Sequence, residues 1–282
     1  MKQISLGTAY WGWSISEMEA HHILNLFYDN GGRFIDSAFN YPINSDPNDL
    51  KRSLTILSNW ITKNKINDLK INYKVGSISN VYTSENNTSK KYLEDQFKFA
   101  EDVLQNNLYS IMIHWDNSSS KVNISNTCLF LKEIQDSGIH VGLSGIKYPN
   151  IYSELMRTLK FSPIDLQVKS NFISSNIDNY KFFDSAINRF WGYGIASGGI
   201  KIDQNNQVLI NSVKKGTKNL IVTESMKQSI QRAMEKHQFN SFYELSMTTA
   251  ENNDSLYGYI IGPSNKPQMK SIIKFLGRSF EN

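Results

Sequence analysis

Cysteine is almost absent. The 282-residue chain holds one, Cys128, so no intrachain disulfide is available, and a reducing cytoplasm is the expected setting. Its neighbours Thr127, Leu129, Phe130 and Leu131 read as a buried helix face. Long apolar runs are missing as well: nowhere do about 18 apolar residues follow one another without a charge or an amide. The opening MKQISLGTAYWGW has no apolar stretch behind its lysine, so neither a membrane span nor a secretory leader is expected. Excess charge of one sign is absent too, since 30 Lys+Arg against 26 Asp+Glu leave a formal net charge of +4. The basic residues are scattered, with only short pairs such as Lys90-Lys91 and Lys214-Lys215, which argues against a nucleic-acid partner. His21-His22 lies near Glu17 and Glu19 but lacks four-apart ligand spacing with a third partner, so no metal is expected. Gly194 to Gly199 is glycine-rich without the Lys-Ser/Thr ending of a P-loop.

What is present is ordinary folded-protein usage: 40% apolar and 12% aromatic residues. Short apolar runs alternate with longer segments of helical period, the pattern of repeated strand-helix units around a parallel sheet. Strands are expected at Ile4–Thr8, Arg33–Asp36, Lys70–Val75, Tyr109–His114, His140–Ser144, Asp165–Val168, Arg189–Tyr193 and Tyr257–Gly262. Helices are expected over Ser16–Asn30, Asp49–Lys63, Lys90–Asn106, Ser125–Ser137, Ile151–Leu159, Asn176–Asn188, Glu224–His237, Ser241–Glu251 and Pro267–Leu276. The Asn- and Ser-rich stretches Ser84–Ser89 and Asn117–Ser125 read as loops. No linker divides the series, so residues 1–282 are expected to form one domain. Eight strands with intervening helices predict an α/β fold, a (β/α)8 TIM barrel, whose reactive groups sit at the C-terminal strand ends. A doubly wound open sheet competes with it, yet Gly7-Thr8-Ala9-Tyr10-Trp11-Gly12 lacks the G-x-G-x-x-G turn such a sheet carries after its first strand.

Four residues at the expected strand ends have complementary chemistry: Asp36 and Tyr41 after the second strand, Lys74 in the third and His114 in the fourth. Each has a structural reading by itself, respectively a turn cap, a surface ring, a strand-end cation and a core imidazole. Together they point to proton transfer. A tyrosine hydroxyl titrates near pH 10, so acid-base work near neutrality calls for a neighbouring cation, and Lys74 is expected to lower its pKa by about two units. A buried ammonium in turn needs a carboxylate to stay charged, and Asp36 is at hand. Trp11, Trp13 and Trp115 adjoin strand ends, where rings either line a substrate pocket or simply pack. As pocket walls they would suit apolar sugar faces.

These residues carry a resemblance. Phe34-Ile35-Asp36-Ser37-Ala38-Phe39-Asn40-Tyr41 resembles the aldo-keto reductase signature, with Asp and Tyr flanking the loop after strand two. Tyr73-Lys74-Val75-Gly76 is similar to that family's lysine strand, Ile111-Met112-Ile113-His114-Trp115 to its histidine strand, and Ser5-Leu6-Gly7-Thr8 to its opening strand. The likeness runs almost end to end. It implies NAD(P)H-dependent reduction of an aldehyde or ketone, with carbohydrate or sugar-nucleotide carbonyls among the candidates, Tyr41 as general acid, Lys74 and Asp36 tuning it, and His114 orienting the carbonyl. It also implies a nicotinamide cofactor laid across the barrel mouth. Gly142-Leu143-Ser144-Gly145 resembles the strand-five Gly-x-Ser-Asn, with Gly145 standing where Asn is usual. Gln167 matches the strand-six glutamine, and Tyr193 the aromatic that stacks on the nicotinamide. Gly192 to Gly199 is a degenerate form of the family's Tyr-Ser-Pro-Leu segment, without its proline.

Near the C-terminus, Ile260-Ile261-Gly262-Pro263-Ser264-Asn265-Lys266-Pro267-Gln268 resembles the family's phosphate and adenosine turn, where free backbone N–H groups open a helix. Gly262, Ser264, Asn265, Lys266 and Gln268 are the implied contacts. NADP(H) is the expected cofactor, chiefly through Lys266, with NAD(H) as the alternative, because Gln268 stands where some members have arginine and Ile272 where Asn is common. A rival reading is a catalytically weak, cofactor-binding regulatory or accessory protein on the same barrel. Only Gly277 to Asn282 follow the last expected helix, so an open mouth admitting a bulky, polyhydroxylated substrate is anticipated.

Overall fold

The strands alternate with helices for most of the chain. A computed structural model describes residues 2–81, 85–197, 200–202, 208–209, 223–277 and 280. In chain order the elements are β1 Gln3–Gly7, α1 Glu17–Asp29, β2 Phe34–Ala38, α2 Arg52–Asn64, β3 Lys70–Val75, α3 Lys90–Leu104, β4 Leu108–His114, α4 Lys121–Asp136, β5 His140–Ser144, α5 Pro149–Thr158, β6 Asp165–Lys169, β7 Arg189–Tyr193, β8 Lys201–Ile202, β9 Val208–Leu209, α6 Glu224–His237, α7 Phe242–Glu251, β10 Gly258–Ile261 and α8 Lys266–Leu276. Strands β1 to β7 and β10 close into a barrel, and every neighbouring pair is parallel. This is the expected (β/α)8 fold.

Local chemistry explains the first unit. The Ser16 side chain caps α1 by accepting from Glu19 N at 3.3 Å, Glu17 and Glu19 face the positive end of the helix dipole, and Gly31 at φ +85° lets the chain turn out. The apolar face, Ala20, Ile23, Leu24 and Phe27, then buries against the barrel. Strand β2 is buried along its whole length because helices cover its outer face and the barrel interior its inner one. Cys128 lies in α4 within the core, and burial beside Asp116 pushes its thiol up to about 12, which makes it a packing residue.

The strand register sets the height of each interior side chain. Ala38 lies opposite Lys74, Lys74 opposite Met112, His114 opposite Ser144, and Ser144 opposite Gln167. Asp36, Lys74, His114, Ser144 and Gln167 therefore rise to one rim, formed by the C-terminal strand ends. At the opposite end, Arg189 donates to Asp165 at 2.9 Å and to the Tyr109 hydroxyl at 2.8 Å, and Trp191 donates its indole N–H to Asp165 at 2.8 Å. The Tyr109 and His140 rings stack there at 4.3 Å.

Three expectations change. The stretch Asn117–Ser125, read as a loop, is helical from Lys121, where α4 begins behind the Ser120 cap, whose side chain accepts from Asn123 N at 3.3 Å. Residues 176–188 do not form an α-helix: only a 3-10 turn, Ile177–Tyr180, is present. Beyond it the Asp184 side chain accepts from Ala186 N at 2.8 Å and Asn188 donates to Asp184 O at 3.0 Å, local bonds that compete with a helical ladder. Strands β8 and β9 form an unexpected antiparallel pair outside the barrel. Near it, Ile200, Ile230, Phe242 and Leu245 form a small apolar cluster apart from the main core. Ser84, Gly198, Gly199, Lys214-Lys215, and Arg278, Ser279, Glu281 and Asn282 of the chain end lie outside the described residues. Phe280 packs on Phe27 at 4.8 Å and donates its N–H to Asn30 O. Among the described residues no helix is long and apolar enough to cross a membrane.

Candidate active site

Asp36 sits near the end of β2, with its carbonyl held by Thr8 N at 3.0 Å and Thr8 Oγ1 at 3.1 Å. Tyr41 follows on the loop between β2 and α2. Lys74 Nζ reaches both, donating to Asp36 Oδ2 at 2.6 Å and to the Tyr41 hydroxyl at 2.8 Å, with a third bond to Gln167 Oε1 at 3.3 Å. Three acceptors complete the ammonium. Gln167 Nε2 donates to the second carboxylate oxygen of Asp36, and Ser144 Oγ donates to Gln167 Oε1 at 3.0 Å. His114 closes the group, its ring 6.1 Å from that of Tyr41 and edge-on to it at 85°. Asp36, Lys74, His114 and Gln167 are all at most 3% exposed.

The electrostatics follow from this burial. Desolvation alone would neutralise Lys74, but the Asp36 carboxylate and the Tyr41 oxygen together outweigh it and hold the ammonium above its ordinary range. Tyr41 goes the other way from expectation. Burial pushes its phenol up further than the Lys74 charge pulls it down, so the hydroxyl is protonated at neutral pH. His114 is held well below the usual imidazole value by burial and by the Lys74 charge, which makes it neutral. The ammonium already fills an acceptor site on the Tyr41 oxygen, leaving the phenolic proton directed elsewhere. The arrangement can donate a proton from Tyr41 and a hydrogen bond from neutral His114.

The structure brings the quartet Asp36, Tyr41, Lys74 and His114 together, with Ser144 and Gln167 inside the same hydrogen-bond network rather than beyond it. Tyr193 ends β7 at this rim, where burial raises its phenol and Lys74 lowers it. Trp13 and Trp115 are half-buried. Trp11 is a correction: it is 0% exposed and packed in the main core, so it does not line the mouth in this structure. Tyr10, overlooked in the sequence, stands nearby instead, its ring 5.8 Å from that of Trp13, and burial together with the Tyr41 phenol raises its own hydroxyl.

At α8 the picture is mixed. Asn265 is the N-cap and accepts from Gln268 N at 2.8 Å, while Gln268 Oε1 accepts from Ser264 N at 2.6 Å. Lys266 N donates to the Glu19 carboxylate of α1. The helix amides are thus largely satisfied within the protein, and the side chains of Ser264 and Lys266 remain exposed. Gly262 donates to the Tyr243 hydroxyl at 3.0 Å and has open space where a Cβ would stand. Ile272 is 2% exposed and belongs to the core. Glu19 gave no local signal, since nothing near it in the chain indicates that α1 meets α8. Among the described residues no group of three or more His, Cys, Asp or Glu side chains is placed to hold a metal ion.

A family model, the aldo/keto reductase family, matches residues 3–276. The chain belongs to the aldo/keto reductase family. Members of this family carry out NAD(P)H-dependent reduction of small-molecule carbonyls, so the protein is an oxidoreductase of that kind. No curated protein matches the chain.

Proposed function

We propose that this chain reduces the carbonyl of an aldehyde or ketone, with Tyr41 as the general acid. The observation that carries this reading is the Lys74 ammonium, 2.8 Å from the Tyr41 oxygen and 2.6 Å from Asp36. A phenol that is protonated in the resting state, yet has a fixed cation on its oxygen, loses its proton to a developing alkoxide and is left as a phenolate stabilised at that point. The cation is already in place, so little reorganisation accompanies the step. Neutral His114 directs an N–H at the substrate oxygen and orients it toward Tyr41. Asp36 keeps Lys74 charged, and Gln167 holds Asp36.

The residues present fit a nicotinamide cofactor. Tyr193 offers a ring, and Ser144 and Gln167 offer polar groups, at the strand ends beside Lys74. Gly262 leaves an open cradle ahead of α8, with Ser264, Asn265, Lys266 and Gln268 about it. When bound, the reduced nicotinamide supplies the hydride. Lys266 supports NADPH as the partner, its exposed ammonium being suited to a 2′-phosphate. Tyr10, Trp13 and Trp115 beside the acid support a sugar-type substrate, because such rings pack on the apolar faces of polyhydroxylated molecules.

The test is turnover of NADPH with a panel of short aldehydes and keto-sugars, using wild type and Tyr41→Phe. The wild type is expected to reduce at least one keto-sugar, and Tyr41→Phe to lose about 100-fold to 10,000-fold in kcat while binding NADPH as before. A Tyr41→Phe protein that keeps more than about a tenth of kcat removes Tyr41 from the role of acid. No turnover with any carbonyl, alongside intact NADPH binding, favours the accessory-protein reading.

A further inference from the structure

His114 is oriented by packing. Its Nδ1 is buried and finds no hydrogen-bond partner, although a histidine that works through one ring nitrogen ordinarily has the other tied to a carbonyl or a carboxylate. Two rings bear on it instead: Tyr41 edge-on at 6.1 Å, and Trp115 nearly parallel, with centroids 4.1 Å apart and planes inclined by 30°.

Trp115 is itself held in an unusual way. It has φ +58°, a left-handed conformation that bulky residues rarely take. Its N–H donates to Ser144 O at 2.9 Å, and its carbonyl accepts from Asn86 Nδ2 at 3.1 Å, so the backbone turn is pinned from two sides. The indole lies over Gly145 at the end of β5. A Cβ on residue 145 would run into Trp115 Cδ1 and stand 2.8 Å from Nε1, and Gly145 has φ +67°. Both features require glycine there. Any side chain at 145 would take the space that the indole occupies.

We propose that Trp115 is a positioning residue for His114, and that Gly145 is the vacancy in the β5 end that lets the indole lie against the imidazole. The lock rests on the reading of His114 as the group that orients the carbonyl. In that reading the stack sets the direction of the His114 N–H toward the substrate oxygen, a task that the partnerless Nδ1 cannot perform. A Trp115→Phe protein keeps an aromatic stack, Trp115→Ala removes it, and Gly145→Ala displaces it while both rings stay unsubstituted.

The experiment has two arms. Protein labelled in its histidine rings gives one Cε1–H correlation for each of the five histidines, and the His114 signal is assigned by its loss in His114→Asn. In resting protein, indole ring current is expected to displace that signal from its ordinary position. Trp115→Ala and Gly145→Ala should both return it, and Trp115→Phe should keep part of the displacement. In kinetics, Trp115→Ala and Gly145→Ala should each lower kcat by about 10-fold to 100-fold, as expected for a misplaced catalytic group. NADPH dissociation constants measured by fluorescence should stay unchanged, and Trp115→Phe should recover most of kcat. Gly145→Ala made in the Trp115→Ala background should add nothing to the NMR change, because no indole remains to be displaced. A His114 signal unmoved by Gly145→Ala, or additive changes in the double variant, overturns the lock. The reading beneath it is judged separately by His114→Asn, whose undiminished kcat would remove His114 from the site whatever the NMR arm shows.

Discussion

At the residue scale the site depends on one buried ion pair. Lys74 is 3% exposed and meets Asp36 at 2.6 Å, so neither charge has water to fall back on. Lys74→Met is therefore expected to act twice. It should lower kcat by about 100-fold or more, since Tyr41 loses the cation that stabilises its phenolate. It should also lower stability by about 3 to 5 kcal/mol, because Asp36 is left buried without its counter-charge. Tyr41→Phe removes neither charge, so urea titrations of the two variants should separate clearly, and equal midpoints would deny the pair its structural part. A second expectation concerns protons on His114 and His140. Burial holds both below the ordinary imidazole value, helped by Lys74 at His114 and by Arg189 and Lys70 at His140. Below about pH 6.5 the unfolded chain binds protons that the folded chain refuses, so stability falls as pH drops through that value and continues to fall toward the folded pKa. The urea midpoint should decline between about pH 7.5 and about pH 5.5, and His114→Asn should reduce the decline.

At the element scale the N-terminus of α8 meets α1. Glu19 accepts from Lys266 N, and the Lys266 side chain is exposed at the same turn. A carboxylate and an ammonium here have opposite effects on an approaching phosphate. Lys266→Ala is expected to weaken NADPH by about tenfold or more and NADH by less, the value of one charge-assisted contact. Glu19→Gln should tighten NADPH in the same titration by removing a like charge. Equal changes for the two cofactors would place Lys266 away from the 2′-phosphate. Much of this element was legible in advance. The sequence predicts a helix over Pro267–Leu276, and the observed one begins one residue earlier, behind an Asn265 cap and ahead of a Gly277 stop that the structure supplied. The Glu19 contact was not legible, because it joins residues 247 apart in sequence.

At the scale of the whole molecule the two barrel ends divide the work. The C-terminal rim carries Tyr41, Lys74 and His114, and the N-terminal end is sealed by Arg189, Asp165, Tyr109, His140 and Trp191. Arg189→Met should leave Asp165 as a buried carboxylate with its charge unpaired and reduce stability by about 3 to 5 kcal/mol. Its kcat at low temperature, where the protein stays folded, should equal that of wild type, because residues at this end of a barrel serve stability. A selective fall in kcat at unchanged stability would contradict this division.

The sequence by itself determined the alternation of strands and helices, the closure expected of eight of them, and the four residues Asp36, Tyr41, Lys74 and His114 in their order. Those are local properties: apolar period, capping residues, and polar side chains at the ends of apolar runs. Tertiary structure alone decided the direction in which the Tyr41 phenol shifts, because the balance between burial and the Lys74 charge depends on how deep the barrel rim lies. It also decided that Trp11 is core, that Gln167 braces Asp36, and that Gly145 makes room for Trp115. Each of these outcomes depends on distances between segments far apart in the chain, and period and composition carry no record of such distances.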